Sequence, residues 1–274
     1  MRVFFLKFCF LFYFVSVFGV EPTKELNLLW DQTKSDAQLN SFLSRFPYHH
    51  YKICLVEGLG QFYVDSVPDS IKWHLQRGIY WESTIGNLVK EFTQPGTVAI
   101  DLGAHIGIHT LTMAKKVGNK GLVIAFEPQW KIFRELYHNV SLNNCSDNVV
   151  LLRNAVGDTE GLVEMSIRNP TNEGGTPIGK GGDKAYMVTL DSLNLNQVSL
   201  IKMDVESYEL KVLEGAKETL LRNKPIIIFE ILGGVDLDTC QGNNRENYEA
   251  VLQFLTSLGY SIQRIFGNDF IAFP

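Results

Sequence analysis

The sequence predicts an α/β protein: a doubly wound, mostly parallel sheet that closes with a C-terminal antiparallel hairpin. Three observations lead there. From Thr97 onward, apolar runs alternate with amphipathic segments. The runs are almost continuously hydrophobic, as strands covered on both faces are. The chain then ends in two β-like runs flanking Gly267-Asn268-Asp269 in "YSIQRIFGNDFIAF".

Composition narrows the class further. The 274 residues are 45% hydrophobic and 20% charged, which suits one globular domain with an N-terminal extension. A net charge of -5, with no block of Lys or Arg, argues against a nucleic-acid partner. Cys9, Cys54, Cys145 and Cys240 are far apart and form no CxxC, so neither a zinc ribbon nor a thioredoxin motif is present. One disulfide among the last three stays open. Asn139-Val-Ser141 and Asn144-Cys-Ser146 fit the glycosylation pattern, a pattern that chance often produces.

In chain order, residues 1–20, "MRVFFLKFCFLFYFVSVFGV", place Arg2 and Lys7 before an apolar stretch. This reads as a signal peptide, or as a membrane anchor through residues 3–20. Either reading puts the chain in the secretory pathway or on a membrane. Residues 21–92 form an extension: one or two helices up to about Tyr51, a hairpin in "ICLVEGLGQFYV" turning at Gly58 and Gly60, and a helical stretch capped by Asp69. Residues 93–274 carry the α/β domain. Its strands are expected at 97–102, 121–127, 148–153, 198–204 and 226–232, and its helices at 129–142, 206–222 and 244–258. Between two further strand-like runs, "NPTNEGGTPIGKGGDK", Asn169 to Lys184, reads as a hairpin tip, with a lid over the acceptor as the alternative.

Sheets of this kind bind ligands beyond the carboxyl ends of their strands. Those ends carry Asp101, Glu127, Asn154, Asp204 with Glu206 behind it, and Glu230. Gly103 and Gly107 let the backbone approach a ligand and start a helix whose free N–H groups face a negative group. His105 stands where a dinucleotide fingerprint would need its middle glycine. An acid beside free amides suits a ligand bearing both amine and carboxylate, and Glu127 is placed for ribose hydroxyls. An amino-acid end plus a ribose describes S-adenosylmethionine.

The motifs "AIDLGAHIGIHTL", "VIAFEP", "NAVGD", "TLDSL", "IKMDVESYELKVLEGA" and "PIIIFEIL" resemble, in order and spacing, those of FkbM-type methyltransferases within the class I S-adenosylmethionine-dependent fold. The resemblance runs from about Tyr63 to the C-terminus. It implies seven strands in the order 3-2-1-4-5-7-6, and S-adenosylmethionine as cofactor. It also implies cofactor contacts from Asp101, Gly103, Ala104 and Gly107 by the methionine part, from Glu127 and Pro128 by the ribose, from Asn154 and Ala155 at the adenine edge, and from Asp204. The acceptor it implies is a small molecule or glycan, methylated on a hydroxyl. Ser207 departs from the family, which usually has glycine after "DVE".

Methyl transfer to a hydroxyl needs alignment and a general base. Asp204 and Glu206 are the candidates, with His105 as a third catalytic candidate. Lys202 is expected to be buried and to pair with Asp204, with Glu206 or with Glu230. No metal is required by the spacing. A nicotinamide-dependent oxidoreductase and a catalytically silent binding protein are the competing readings. The missing middle glycine and the terminal hairpin weigh against the first. Intact acids at 101, 127 and 204 weigh against the second.

Overall fold

The computed structural model describes residues 19–44, 50–231 and 243–274. The predicted leader therefore lies outside the described residues up to position 18. Among the described residues, no helix is long and apolar enough to cross a membrane.

The extension opens with helices α1 (Lys24–Ser35) and α2 (Ala37–Leu43), capped by the side chains of Thr23 and Asp36. Next comes the hairpin β1 (Lys52–Val56) and β2 (Gly60–Val64). The expected helical stretch then divides in two. Helix α3 (Ser70–Leu75) is capped by Asp69, whose carboxylate accepts from Ile71 and Lys72 N–H, and α4 (Ser83–Phe92) follows.

The domain continues as β3 (Val98–Leu102), α5 (Ile108–Val117), β4 (Leu122–Phe126), α6 (Trp130–Leu142), β5 (Val149–Leu152), β6 (Asn154–Val156), β7 (Gly161–Ser166), β8 (Gly181–Val188) and β9 (Val198–Met203). It ends with α7 (Glu209–Glu214), α8 (Lys217–Asn223), β10 (Ile226–Glu230), α9 (Asn243–Ser257), β11 (Ser261–Phe266) and β12 (Asp269–Phe273). The single helix expected over 206–222 is broken. Glu206 and Ser207 have φ of 52° and 69°, which delays its start. A Cβ on Gly215 would lie 1.9 Å from the Gly157 carbonyl oxygen, so a close approach of two backbones fixes the interruption there.

The main sheet has seven strands in the order β5-β4-β3-β9-β10-β12-β11. Numbered along the chain, that is 3-2-1-4-5-7-6. All neighbours are parallel except those of β12, which runs antiparallel to β10 and β11. Alternation along the strands divides the core in two. Val98, Ile100, Leu102, Ile124 and Phe126 face α1, α7, α8 and α9. Ala99, Val123, Ala125, Leu200 and Ile228 face α4, α5 and α6, and the extension's Val56, Phe62 and Leu75 share that second core. The extension is thus packed into the same layer as the helices covering the sheet. A small second sheet, β6-β8-β7, stands beside the carboxyl ends of the strands.

Cys54 and Cys145 are free thiols, and Cys240 lies outside the described residues. Asn139 is buried, with its side chain bonded to Tyr63 N–H and the Ile106 carbonyl, so it is no surface glycosylation site.

Candidate functional site

A cleft with about 520 Å³ of empty space opens beyond the ends of β3, β4 and β9. Leu102, Gly103, Phe126, Glu127, Asn154 and Ala155 line its floor.

Glu127 ends β4 and is 4% exposed. Its Oε2 accepts the His105 N–H at 3.1 Å and its Oε1 the Gln129 N–H at 3.0 Å. Burial nevertheless pushes its pKa up to about 7, and the charge of Asp101 adds to the push, while these two amides act against it. A buried carboxylate that titrates near neutrality gains from a ligand that donates hydroxyl hydrogens to it. Asp101 lies deeper. Thr110 Oγ1 donates to its Oδ2 at 2.5 Å, while Oδ1 is buried without a partner. That orphan oxygen suits an ammonium. Asn154 lines the cleft, with its amide nitrogen already donating to the Tyr186 carbonyl at 3.0 Å.

The glycines are needed for chain–chain approach rather than for contact with a ligand. A Cβ on Gly103 (φ 77°) would meet the Asp204 carbonyl oxygen at 1.9 Å, and one on Gly107 (φ 98°) would meet Leu136. Gly103 still lines the cleft, whereas Ala104 and Gly107 lie behind it: Gly107 caps α5, and the Ala104 N–H donates to the Phe126 carbonyl.

Asp204 and Glu206 form the opposite wall. Lys202, buried in β9 in register with Asp101, donates from Nζ to Asp204 Oδ2 at 3.0 Å. The Lys202 ammonium is held above the usual lysine range: burial lowers its pKa, and Asp204, Glu82 and Asp101 more than reverse that. Of the expected partners it is Asp204, and neither Glu206 nor Glu230, that forms the ion pair. Among the described residues, Glu206 has no such partner. Burial, with the charges of Asp204 and Glu209, raises its pKa to about 7. Glu230 sits opposite Asp269 across β10 and β12 and is pushed up to about 8 by burial and by Asp204 and Asp269. His109 is buried and lies 3.2 Å from Glu82. Burial works to raise Glu82, but the His109 bond and the Lys202 charge hold it down to about 2.

His105 is not placed for catalysis. It is absent from the cleft lining. Its ring lies against Gly174, and the charges it senses are those of Asp69, Lys72, Glu135 and Glu173. Its Nε2 is buried and unpartnered, and burial holds its pKa below the usual histidine range, so the ring is a neutral packing group.

Sequence reasoning gave the roof only as the alternative to a plain hairpin tip, and as a lid over the acceptor. The glycine-rich segment between β7 and β8 is a lid over the cofactor side, where Met165, Gly174, Thr176 and Ile178 line the cleft together with Gln129 and Tyr208. The segment is fixed by Glu173, which is 1% exposed. Its carboxylate lies 2.5 Å from Lys72 Nζ, 2.6 Å from Lys131 Nζ and 2.9 Å from Arg168 Nε. Asp65 and Glu135 complete the cluster with the same two lysines. These three carboxylates could hold a metal ion, but two ammonium groups occupy the place. The only sequence signal was an acid inside a glycine-rich run and a Lys131–Glu135 pair at helical spacing. Neither predicts a partner about a hundred residues away.

The floor and the near-neutral Glu127 together fit an adenosyl ligand, with apolar walls for a base and a carboxylate for ribose hydroxyls, while Asp101 stands behind that lining. Comparison with protein families agrees. The family model described as the methyltransferase FkbM domain matches residues 101–262. The hexuronic acid methyltransferase AglP of Haloferax volcanii is 26% identical over 181 residues, covering 64% of this chain and 72% of that protein. Among solved structures, an O-methyltransferase from Bacillus cereus in complex with SAH has a TM-score of 0.49 at 16% identity, covering 70% of this chain and 80% of that one. Methyltransferase FkbM from Methylobacillus flagellatus has a TM-score of 0.45 at 15% identity, covering 89% and 60%.

Proposed function

The chain belongs to the FkbM methyltransferase family and is an S-adenosylmethionine-dependent methyltransferase, and from that premise we propose that it methylates a hydroxyl of a sugar or another small polyol. When bound, the cofactor supplies an electrophilic sulfonium methyl. The acceptor oxygen forms the new C–O bond as the C–S bond breaks, and the hydroxyl proton must go to a base.

Glu206 is that base. It lines the cleft, carries no ion-pair partner among the described residues and titrates near neutrality, which suits a general base at physiological pH. Asp204, ion-paired with Lys202, stands at the same wall, where it would lie near the cofactor's sulfonium. Glu127 would orient the ribose, and Asn154 and Ala155 would border the base, with Asp101 standing behind the cleft lining. Phe126, Val156, Met165 and Ile178 exclude water around it.

The observation that carries this reading is the pairing of a buried, near-neutral Glu127 in the floor with an unpaired, near-neutral Glu206 on the facing wall of one cleft. The hexuronate activity of the archaeal relative favours a carbohydrate acceptor. A screen of sugars and glycans with labelled S-adenosylmethionine tests it. Product is expected on a sugar oxygen, and E206Q should turn over about 10²–10⁴-fold more slowly with unchanged cofactor affinity. Label on nitrogen only, or an E206Q variant at wild-type rate, overturns it.

A further inference from the structure

We propose that Glu173 is a positioning residue that seats the roof of the cofactor cleft before the cofactor arrives, and that the cation holding it, Lys72, is supplied by the N-terminal extension. This rests on reading the cleft as the S-adenosylmethionine site.

Glu173 is tied down from every side. Its carboxylate meets Lys72, Lys131 and Arg168. Its N–H donates to Asp69 Oδ2 at 2.9 Å, and its carbonyl accepts from Gln129 Nε2 at 3.1 Å and from Thr176 Oγ1 at 3.1 Å. The residues directly after it are the roof: Gly174, Thr176 and Ile178 line the cleft, and Gly174 rests on the His105 ring. His105 in turn gives its N–H to Glu127, so roof and floor meet through one residue.

Lys72 is fully buried, as is Asp65, and Asp69 orients the Glu173 backbone. All three precede residue 101, where the family match begins. The catalytic domain alone thus lacks one of the two ammonium groups that fix its own roof. Lys72 and Lys131 already meet Asp65 and Glu135, and the segment brings Glu173 together with its own Arg168, so inserting it keeps the buried charges balanced. A glycine-rich segment left free would have to be ordered by the ligand, and that ordering would be subtracted from affinity. Seating it in advance removes that penalty.

The test uses the full chain and S-adenosylhomocysteine as the probe. In E173A, Lys72 and Lys131 keep Asp65 and Glu135, so the fold has remaining counter-charges. Its affinity for the probe should fall about tenfold or more, with KM for S-adenosylmethionine rising and kcat at saturation near wild type. Trypsin cleavage at the exposed Lys180 and Lys184 should be slow in the wild type with or without probe. In E173A it should be fast without probe and slowed by it. E173D, which keeps the charge, should recover most of the affinity, and E173Q is measured in the same way should E173A not fold. A lower melting temperature with unchanged affinity and unchanged cleavage would make Glu173 merely structural and overturn the proposal. A wild type that binds no probe would instead strike the cofactor reading, while the cleavage contrast would still report on the roof.

Discussion

Replacing Glu127 with glutamine should abolish a pH dependence of cofactor binding that the wild-type site builds in. In the empty cleft, burial raises the Glu127 pKa from its ordinary 4.5 to about 7, a bias of roughly 3 kcal/mol towards the neutral acid. Ribose hydroxyls donate far more strongly to the ionised form. Binding therefore carries a deprotonation, and affinity should rise with pH up to the pKa and level off above it. By linkage, apparent affinity at about pH 6 should be some tenfold below its plateau, at about pH 7 twofold below, and at about pH 8 close to it. Calorimetry near pH 7 in two buffers of different ionisation heat should show about half a proton released per cofactor bound. E127Q offers one acceptor to two backbone N–H groups, so it should bind about 10–100-fold more weakly at the plateau, with no slope from this group. The ratio of wild type to variant cancels any titration of the cofactor's own amine. Glu206 titrates in the same range, so E206Q is the control and should keep the slope. A flat wild-type profile, or the same slope in E127Q, would refute the reasoning.

Other consequences are open to measurement. The apo protein should melt at a higher temperature near pH 6 than near pH 8. Glu127, Glu206 and Glu230 have raised pKa values, so the folded state holds more protons than the unfolded chain there, and stability falls as pH rises. The lowered His105 and His138 act oppositely, and only below their ordinary range. Lys202→Met should destabilise by about 3–5 kcal/mol in denaturant titration, because it leaves the buried Asp101 and the paired Asp204 without their cation. Ser207→Gly should be neutral or stabilising by up to about 1 kcal/mol: φ of 69° strains an L-residue, and the relief is partly offset by glycine's greater freedom when unfolded.

Much of the fold was legible because its signals are local. Apolar runs of strand length, amphipathic helices between them and glycines at the turns marked β3, β4, β5, β9 and β10 almost to the residue. They also marked both hairpins and the Asp69 cap. The strand-end acids Asp101, Glu127, Asp204 and Glu206 were legible for a related reason: in a parallel sheet, position along a strand fixes the rim on which a side chain emerges. Helix 206–222 was misread because its break depends on how closely Gly215 meets Gly157, a contact that no sequence window contains.

What the sequence by itself determined, then, was the order of layers and which polar residues stand at the sheet's rim. Only the tertiary structure decided their roles. It gave Lys202 to Asp204 and left Glu206 without an ion pair among the described residues, set the His105 ring against Gly174, and placed Gly103 against a backbone carbonyl. It also laid Gly174, Thr176 and Ile178 over the cleft and paired Glu173 with Lys72. The physical reason is that burial, charge pairing and the pKa values they set depend on distances of a few ångströms between residues far apart in the chain. Periodicity fixes only where each residue faces on its own element.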